Sequence, residues 1–237
     1  MKKIDRPYII CHMMQTLDGK IASGIPGIEI LMDFFDLYTK IEQEFSSKVW
    51  MFGRKTAEAF AVSVNTPLFL DKSINVIDNF IVKNTGDTFA IVADVHGQLR
   101  WKNNFINLSN HMSKFHLVIL VSQQTPKEYL SHLQEMHISY IVSGKNEVDF
   151  EYVLKKLHDA FSIDKILLEG GGSFNGSLIA KNFIDELSLI VVPRVLNKKD
   201  APSLFNTDRN EAITTDFQLI ETKQLEKNAL WLRYKKM

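Results

Sequence analysis

Three short segments of the 237-residue chain combine glycines with side chains that can bind phosphate or exchange protons. They cover residues 15–20 (QTLDGK), 53–56 (GRKT) and 169–173 (EGGGS). Each segment follows a short apolar run that is typical of a strand. Because ligands of open α/β sheets bind beyond the carboxyl ends of the strands, the three segments are the first candidates for a functional site.

The glycine run at residues 170–172 is the sharpest local pattern. Successive glycines permit a positive φ and a close approach of the backbone. The N-terminus of a following helix presents unpaired N–H groups and the positive end of the helix dipole, which together suit a phosphate. A tight turn with Ser173 as the helix cap explains the same residues equally well. The spacing matches neither Gly-x-Gly-x-x-Gly nor the Walker loop.

Residues 53–56 repeat this idea at the end of a second predicted strand. Gly53 permits a turn, Thr56 can cap a helix, and Arg54 with its neighbour Lys55 supplies cations. Of these two, arginine is the better bidentate partner for a phosphate. A solvated basic pair beside an ordinary cap is the plainer interpretation. Two turns suited to phosphate nevertheless favour one extended, multiply phosphorylated ligand such as a dinucleotide.

Asp18 and Glu169 are the carboxylates at the ends of predicted strands. A carboxyl group in a closing pocket can exchange protons with a substrate, so both are candidate catalytic residues. Asp18 is also explained as a turn former, since Asp-Gly is a strong turn dipeptide. Glu169 is also explained as a cap partner at the start of the next helix.

Composition excludes several classes of protein. Lys plus Arg and Asp plus Glu both number 28, so the basic excess typical of nucleic-acid-binding proteins is missing. Cys11 is the single cysteine, and the seven histidines match no zinc spacing, so no metal is predicted and each histidine is interpreted as a surface or packing residue. No apolar run reaches ~18 residues, the length that spans a membrane. We therefore expect a cytoplasmic protein without a nucleic-acid or membrane partner.

Alternating apolar runs and helical patterns predict an α/β fold in one domain spanning residues 1–237. Strands are predicted at 8–14, 48–52, 89–93, 117–122, 138–142, 165–168 and 186–192, and helices at 29–45, 56–60, from 125 onwards, at 149–161 and at 173–181. Residues 217–221 and 230–234 are predicted to form a C-terminal antiparallel hairpin. This order predicts a mostly parallel central sheet flanked by helices.

Several blocks spread over nearly the whole chain occur in the order of a known family. They are Arg6-Pro7-Tyr8, Thr16-Leu17-Asp18-Gly19-Lys20, Gly53-Arg54-Lys55-Thr56, Leu168-Glu169-Gly170-Gly171-Gly172-Ser173 and Asp185-Glu186-Leu187. The series resembles the riboflavin-biosynthesis reductase family, the reductase half of the bacterial bifunctional deaminase-reductase. The Glu-Gly-Gly-Gly and Asp-Glu-Leu blocks are the more specific ones, whereas Gly-Arg-Lys-Thr is shared with dihydrofolate reductases.

The resemblance implies a dihydrofolate-reductase-like fold, NADPH as the hydride donor and a homodimer. It implies that the cofactor is lined by Thr56 and by the run from Gly171 to Ser177, which includes Gly172, Ser173 and Phe174. The two turns suited to phosphate add Gly53, Arg54 and Gly170 to the predicted cofactor residues. It places Thr16, Asp18 and Glu169 at the substrate, with the two carboxylates as catalytic residues. The implied reaction reduces the ribosyl group of 5-amino-6-(5-phosphoribosylamino)uracil, or of a related phosphorylated pyrimidine, to a ribityl chain.

Two other functions stay open at this point. The chain departs from the family pattern at Gln15, Thr16 and Asn197, which fall mostly on the substrate side. A dihydrofolate or pterin reductase is one alternative, in which Asp33 would protonate the pterin ring and methotrexate would bind. A non-catalytic NADPH-binding module is the other, and it would bind the cofactor without turnover.

Overall fold

The computed structural model describes residues 5–21, 29–69, 73–83, 86–108, 113–207 and 212–237. His111, one of the seven histidines interpreted as surface or packing residues, lies outside the described residues. The described chain forms two compact units. The middle unit comprises residues 48–164 together with 5–7, and the terminal unit comprises residues 8–47 and 165–237.

The strands and helices follow the predicted alternation along the chain. In order, the strands are β1 (Tyr8–Thr16), β2 (Val49–Gly53), β3 (Ser63–Val64), β4 (Asn79–Phe80), β5 (Phe89–Ala93), β6 (Leu99–Arg100), β7 (Phe105–Asn107), β8 (Lys114–Val121), β9 (Ser139–Val142), β10 (Lys165–Leu168), β11 (Glu186–Val192), β12 (Phe217–Gln224) and β13 (Leu230–Lys236). The α-helices are α1 (Phe35–Glu44), α2 (Arg54–Ala57), α3 (Lys127–Glu135), α4 (Phe150–Phe161) and α5 (Gly172–Ala180), and 3₁₀ turns cover Glu29–Phe34, Glu58–Phe60 and Glu226–Asn228.

The terminal unit is built on a sheet in the order β12-β13-β11-β1-β10. Strand β1 pairs in parallel with β10 on one side and with β11 on the other. Strand β13 pairs antiparallel with both β11 and β12, as the predicted C-terminal hairpin requires. Residues 9–14 of β1 are buried, because a central parallel strand is covered on both faces.

The middle unit has its own run of parallel strands, β2-β5-β8-β9, continued antiparallel by β4. Strand β7 pairs antiparallel with β8, and β3 forms a separate small sheet with β6. Residues 115–121 of β8 are buried without interruption, which explains the long apolar run of that strand. The α/β fold with mostly parallel pairing is confirmed.

Helix α4 shows how local sequence sets the bounds of an element. The Asp149 side chain accepts hydrogen bonds from the backbone N–H groups of Glu151 and Tyr152 at 3.1 and 3.2 Å, which caps the helix. The helix then buries the apolar side chains that recur at helical spacing, including Val153, Leu154 and Leu157. The predicted helix at 149–161 is confirmed.

Two predicted helices differ from the structure at their starts. The helix predicted at 29–45 begins as the 3₁₀ turn Glu29–Phe34 and becomes α-helical only at Phe35. The helix predicted from Thr56 begins at Arg54, with Gly53 at the N-cap position. Thr56 lies inside that helix, so its predicted role as a cap is wrong.

A buried carboxylate fixes the end of β5 in the middle unit. Asp94 is fully buried, and its Oδ1 accepts a hydrogen bond from the Gln98 N–H at 2.9 Å. Its Oδ2 accepts from the Leu99 N–H at 2.8 Å and from the Tyr129 hydroxyl at 2.9 Å. Burial and the charge of Asp94 raise the pKa of Tyr129 well above its usual value, so the phenol keeps the proton that it donates. Helix α3 is thereby tied to the end of β5.

Replacing Tyr129 with Phe should therefore destabilise the protein. Hydrogen bonds to charged groups contribute about 1.5–3 kcal/mol, and we expect a loss in that range in the free energy of unfolding. Urea denaturation measures it. Tyr152→Phe is the matched control, because the Tyr152 hydroxyl accepts only a surface hydrogen bond from Asn79 and its loss should cost less than about 0.5 kcal/mol. Equal losses in the two variants would contradict the role assigned to Asp94.

Candidate functional site

The turn after β1 is held by hydrogen bonds between its two ends. The Thr16 N–H donates to the Lys20 carbonyl at 2.9 Å, and the Lys20 N–H donates to the Thr16 hydroxyl at 3.0 Å. Gly19 adopts a φ of +73°, a conformation that favours glycine. The Asp-Gly turn predicted from the sequence is confirmed.

The Asp18 carboxylate joins this turn to the segment that follows β11. It accepts hydrogen bonds from the Thr16 hydroxyl at 2.6 Å and from the backbone N–H groups of Leu196 and Asn197 at 3.1 and 3.0 Å. These hydrogen bonds, that of Thr16 foremost, lower the pKa of Asp18 to about 2. The group is ionised at neutral pH, which disfavours the predicted role of proton donor. Its assignment as a site residue stays a prediction.

Glu169 follows β10 and is half-buried beside helix α1. Leu168, the last residue of β10, is aligned with Cys11 of β1. The hydroxyl of Tyr38 on α1 lies in the electrostatic field of the Glu169 carboxyl group and donates its proton to the His12 carbonyl at 3.1 Å. Burial, followed by the charge of Glu169, raises the pKa of Tyr38 well above its usual value. The phenol of Tyr38 therefore keeps its proton at neutral pH.

His12 forms the base of the same polar cluster. Its ring is fully buried and stacks on Tyr38 with 4.3 Å between ring centroids. Its Nε2 lies 3.3 Å from the Tyr38 carbonyl, and its Nδ1 lies 2.9 Å from the Ser188 hydroxyl, which accepts from the Trp231 indole N–H at 2.9 Å. Because a carbonyl can only accept, we assign the ring proton to Nε2. Burial lowers the pKa of His12 to about 4, so the ring is neutral.

Sequence reasoning treated His12 as a packing residue and missed its hydrogen bonds, and it did not single out Tyr38 at all. The signal for His12 was available, since it is a polar residue within the apolar run of β1. Tyr38 carries no comparable signal, because an aromatic residue on a helix is most often a core residue.

The glycine turn between β10 and α5 has its positive φ at Gly170, where φ is +85°. Gly171 has a φ of −74° and occupies the N-cap position of α5, so Ser173 is not the helix cap. The Gly170–Gly171 peptide bond is cis. A glycine at the N-cap offers no side chain to the first turn of α5, whose backbone N–H groups are suited to a phosphate.

The other predicted cofactor residues of α5 lie along its first two turns. Ser173 and Ser177 are exposed, and Phe174 is half-buried. The Ser177 hydroxyl donates to the Ser173 carbonyl at 3.0 Å, so it is satisfied by the helix itself. All three lie within the first two turns of α5, and their binding to a cofactor stays a prediction.

Two glycines of α5 are explained by packing within the terminal unit. A Cβ at Gly172 would lie 2.2 Å from the Ser203 carbonyl oxygen, and one at Gly176 would lie 1.9 Å from the Asn206 carbonyl oxygen. The Asn206 N–H donates to the Gly172 carbonyl at 3.0 Å. These distances leave no room for a side chain, so part of the glycine run serves the close approach of residues 203–206.

The second predicted phosphate segment lies in the middle unit. Gly53 precedes the four-residue helix α2 with a φ of −75°, and Thr56 is half-buried. Arg54 forms an ion pair with Glu58, and the Lys55 ammonium lies 3.2 Å from the same carboxylate. Both cations therefore have an acidic partner one helical turn away, and their binding to a phosphate stays a prediction.

Asp33, the acid of the pterin alternative, lies in the 3₁₀ turn before α1. Its side chain is 62% exposed and forms an ion pair with Arg194. The Arg194 guanidinium in turn lies 5.0 Å over the Phe34 ring. A residue that protonates a bound ring needs a shielded carboxyl group, so this exposed ion pair disfavours the pterin reaction.

Within the described ranges, no group of three or more His, Cys, Asp or Glu residues is placed to hold a metal ion. None of the helices in those ranges is long and apolar enough to cross a membrane.

Comparison with known proteins identifies the family. The family model described as the RibD C-terminal domain matches residues 7–230. The chain belongs to this family. The resemblance drawn from the sequence blocks is therefore confirmed, and the match covers residues of both units.

Curated proteins that are similar to this chain are named as reductases. The chain is 29% identical over 204 residues to the 2,5-diamino-6-ribosylamino-4(3H)-pyrimidinone 5′-phosphate reductase of Methanothermobacter thermautotrophicus, covering 84% of this chain and 83% of that protein. It is 22% identical over 205 residues to the protein of the same name from Archaeoglobus fulgidus, covering 84% and 86%.

A solved structure supports the fold. The chain is similar to a pyrimidine reductase-like protein from Corynebacterium diphtheriae with a TM-score of 0.67 at 17% sequence identity. The match covers 98% of this chain and 92% of the other. The predicted fold class is confirmed.

The packing of α5 can be tested at Gly172. A Gly172→Ala substitution places a methyl group against the Ser203 carbonyl, and we expect a loss of about 1–3 kcal/mol in the free energy of unfolding, as for other overpacked sites. Chemical denaturation measures the loss. Ser173→Ala at the exposed neighbouring position is the control and should change stability little. If both variants unfold like the wild type, the close approach of residues 203–206 is not required.

Proposed function

We propose that this chain is an NADPH-dependent reductase that converts the ribosyl group of a 2,5-diaminopyrimidinone 5′-phosphate to a ribityl chain. One observation carries the proposal: 84% of the chain aligns, at 29% identity, with a relative named as that reductase. The second candidate substrate is the corresponding aminouracil, 5-amino-6-(5-phosphoribosylamino)uracil, which the sequence resemblance implies and which has the same sugar phosphate.

The N-terminus of α5 fits the phosphates of a dinucleotide. Gly170 and Gly171 bring the backbone to the start of the helix without side chains, and the dipole of α5 favours negative charge there. We therefore assign cofactor binding to residues 170–174 and Ser177. When bound, NADPH supplies the hydride that reduces C1′ of the ring-opened imine. In the middle unit, Gly53, Arg54 and Thr56 stay predicted contributors.

On the substrate side of the site, the carboxyl groups of Glu169 and Asp18 have different proposed roles. Glu169 is proposed to accept hydrogen bonds from the sugar hydroxyls, because a carboxylate offers about four acceptor sites. Asp18 is ionised, and its carboxylate oxygens already accept hydrogen bonds from the Thr16 hydroxyl and from the N–H groups of residues 196–197. Its proposed part, with Thr16, is to shape the substrate side of the site and not to donate the proton.

The two compact units are proposed to work as one reductase domain. The support is that the family model runs through both of them, from residue 7 to residue 230. The homodimer implied by the resemblance and the cytoplasmic location expected from the composition stay predictions. Analytical ultracentrifugation of the purified chain tests the first of these.

Steady-state oxidation of NADPH with each candidate pyrimidine is the test of the proposed function. We expect turnover with the diaminopyrimidinone phosphate, lower turnover with the aminouracil and none with dihydrofolate. Methotrexate should not bind. Cofactor binding without turnover on any of the three compounds would instead support a non-catalytic NADPH-binding module.

Glu169→Gln should raise KM for the pyrimidine more than it lowers kcat. The amide keeps the size of the side chain but weakens the hydrogen bonds to the sugar, and the loss of one hydrogen bond to a charged group changes affinity by about 10- to 100-fold. The measurement is a Michaelis series for the pyrimidine at saturating NADPH. Glu151→Gln, at an exposed position of α4, is the control. A variant with unchanged KM would remove Glu169 from the substrate site.

Arg54→Ala should weaken the binding of NADPH by about 1–3 kcal/mol, which is the contribution of a charge-assisted hydrogen bond to the 2′-phosphate. The affinity for NADH, which lacks that phosphate, should stay nearly unchanged. Fluorescence titration with both cofactors measures this. Lys155→Ala removes an equivalent surface charge in α4 and serves as the control. Equal effects of Arg54→Ala on the two cofactors would show that Arg54 serves only its ion pair with Glu58.

A further inference from the structure

The two faces of the C-terminal hairpin, β12 and β13, differ in how they are covered. On one face, Trp231 is 1% exposed and contacts Phe45 at the end of α1 edge-on, with 6.4 Å between the ring centroids. The Arg233 guanidinium lies on this face as well, 5.5 Å from the centroid of the Phe45 ring, and forms ion pairs with Glu186 and Glu221 at 2.7 and 2.9 Å. This face is therefore closed by Phe45 and by its own ion pairs.

The opposite face consists of three rows of side chains that run across β11, β13 and β12. Because paired residues of neighbouring strands point to the same side of a sheet, the strand registers define the rows. The rows are Leu187, Tyr234 and Leu219, then Leu189, Leu232 and Thr222, and finally Val191, Leu230 and Gln224. None of these side chains is charged, and all but Thr222 and Gln224 are hydrophobic. We call these residues the hairpin face.

The hairpin face becomes more exposed towards the edge of the sheet. Leu187 and Leu189 of β11 are 7 and 9% exposed, whereas Leu230 of β13 and Leu219 of β12 are 42 and 48% exposed. Single exposed leucines are ordinary on a protein surface. These two, however, lie in the outer rows on either side of the half-buried Leu232, so they form part of one continuous apolar surface. A surface of this kind marks a contact with another molecule.

The occupant of this surface packs on the face of the sheet and not along its edge. Strand β12 lies at the edge, and its pairing with β13 is interrupted by a bulge between Leu219 and Glu221. It also carries Lys223, whose ammonium lies 5.9 Å from the centroid of the Trp231 ring. Bulges and lysines on an edge strand oppose the addition of a further strand.

We propose that the hairpin face is the surface through which two copies of this chain associate about a two-fold axis. Such a contact places each patch against an identical one, so the patch must be complementary to itself. The hairpin face meets this condition because it brings no like charges together, and it offers Tyr234, a residue type enriched in interfaces. Lys236, two residues further along the same side of β13, is balanced within the chain by Asp185 at 3.7 Å.

This assignment goes beyond the proposed function. The sequence resemblance implied a homodimer but named no surface for it. Association through the hairpin face also needs no catalytic activity, so it can be tested independently of the proposed reaction.

Leu219→Lys tests the inference by placing a cation on the hairpin face at a position that is already 48% exposed. We expect the wild-type chain to sediment as a dimer between about 1 and 100 µM and the variant as a monomer, with a dissociation constant raised at least about 100-fold. Met32→Lys is the matched control, because Met32 is 62% exposed in the 3₁₀ turn before α1, and it should leave the dimer intact. Circular dichroism checks that each variant is folded, and Leu230→Lys replaces Leu219→Lys if that variant is not.

A mixture of two monomeric variants shows what the hairpin face contacts. One chain carries Leu219→Lys with Leu230→Lys, and the other carries Leu219→Glu with Leu230→Glu. If the face contacts its own copy, each chain alone repels itself, whereas the two chains together bring opposite charges into contact. We therefore expect sedimentation velocity to show a heterodimer in the equimolar mixture and monomers in each separate solution.

The outcomes separate this inference from the proposed function. A wild-type chain that stays monomeric, a Leu219→Lys variant with the wild-type dissociation constant or a mixture that stays monomeric each overturns the hairpin face as the contact between copies. A monomeric wild-type chain that floats with phosphatidylcholine vesicles overturns it in favour of a lipid surface. Turnover of the pyrimidine by a monomeric chain keeps the proposed function, whereas a dimer that oxidises no NADPH with either pyrimidine overturns the proposed function alone.

Discussion

The parallel pairing of β1 with β10 and β11 is the constraint on which the terminal unit depends. Strand β10 ends opposite Cys11, whereas β11 ends opposite Thr16. The loops that follow β10 and β11 therefore begin at different positions along β1. As a result, Glu169 emerges beside the buried polar cluster of His12, and the Asp18 turn emerges beside the segment that follows β11. Neither position could be changed without shifting the register of the sheet, which would turn every side chain of the strand to the opposite face.

That segment, residues 194–206, is the second structural element of the candidate site. Backbone hydrogen bonds join it to the turn after β1, from the Leu17 N–H to the Arg194 carbonyl at 2.7 Å and from the Ile21 N–H to the Pro202 carbonyl at 2.9 Å. Its far end packs against Gly172 of α5. The segment thus connects the carboxylate turn with the glycine helix. A substitution in either one acts on both, so a loss of activity alone does not identify a residue that touches a ligand.

The sequence was sufficient for features that depend on local pattern and insufficient for those that depend on contacts between distant residues. The strands, the capped helix α4 and the position of the glycine turn follow from apolar spacing and turn chemistry. The reason for Gly172 does not, because the Ser203 carbonyl that excludes its Cβ is brought there by the tertiary fold. The pair of Arg54 and Glu58 is an intermediate case. Its spacing of four residues was visible, but only once both residues were placed on one helical segment.

The two candidate carboxylates occupy opposed environments, and this contrast separates their roles. Asp18 is exposed and accepts hydrogen bonds from a hydroxyl and two N–H groups, which hold its pKa near 2 and keep it a permanent anion. Glu169 lies instead beside the thiol of Cys11 and the phenol of Tyr38, both of which have a raised pKa caused first by burial and then by the charge of Glu169. These two neighbours keep their protons and are therefore neutral at neutral pH. A carboxylate that accepts hydrogen bonds from backbone N–H groups suits a structural role, whereas a half-buried carboxyl group among neutral side chains suits the proposed recognition of sugar hydroxyls.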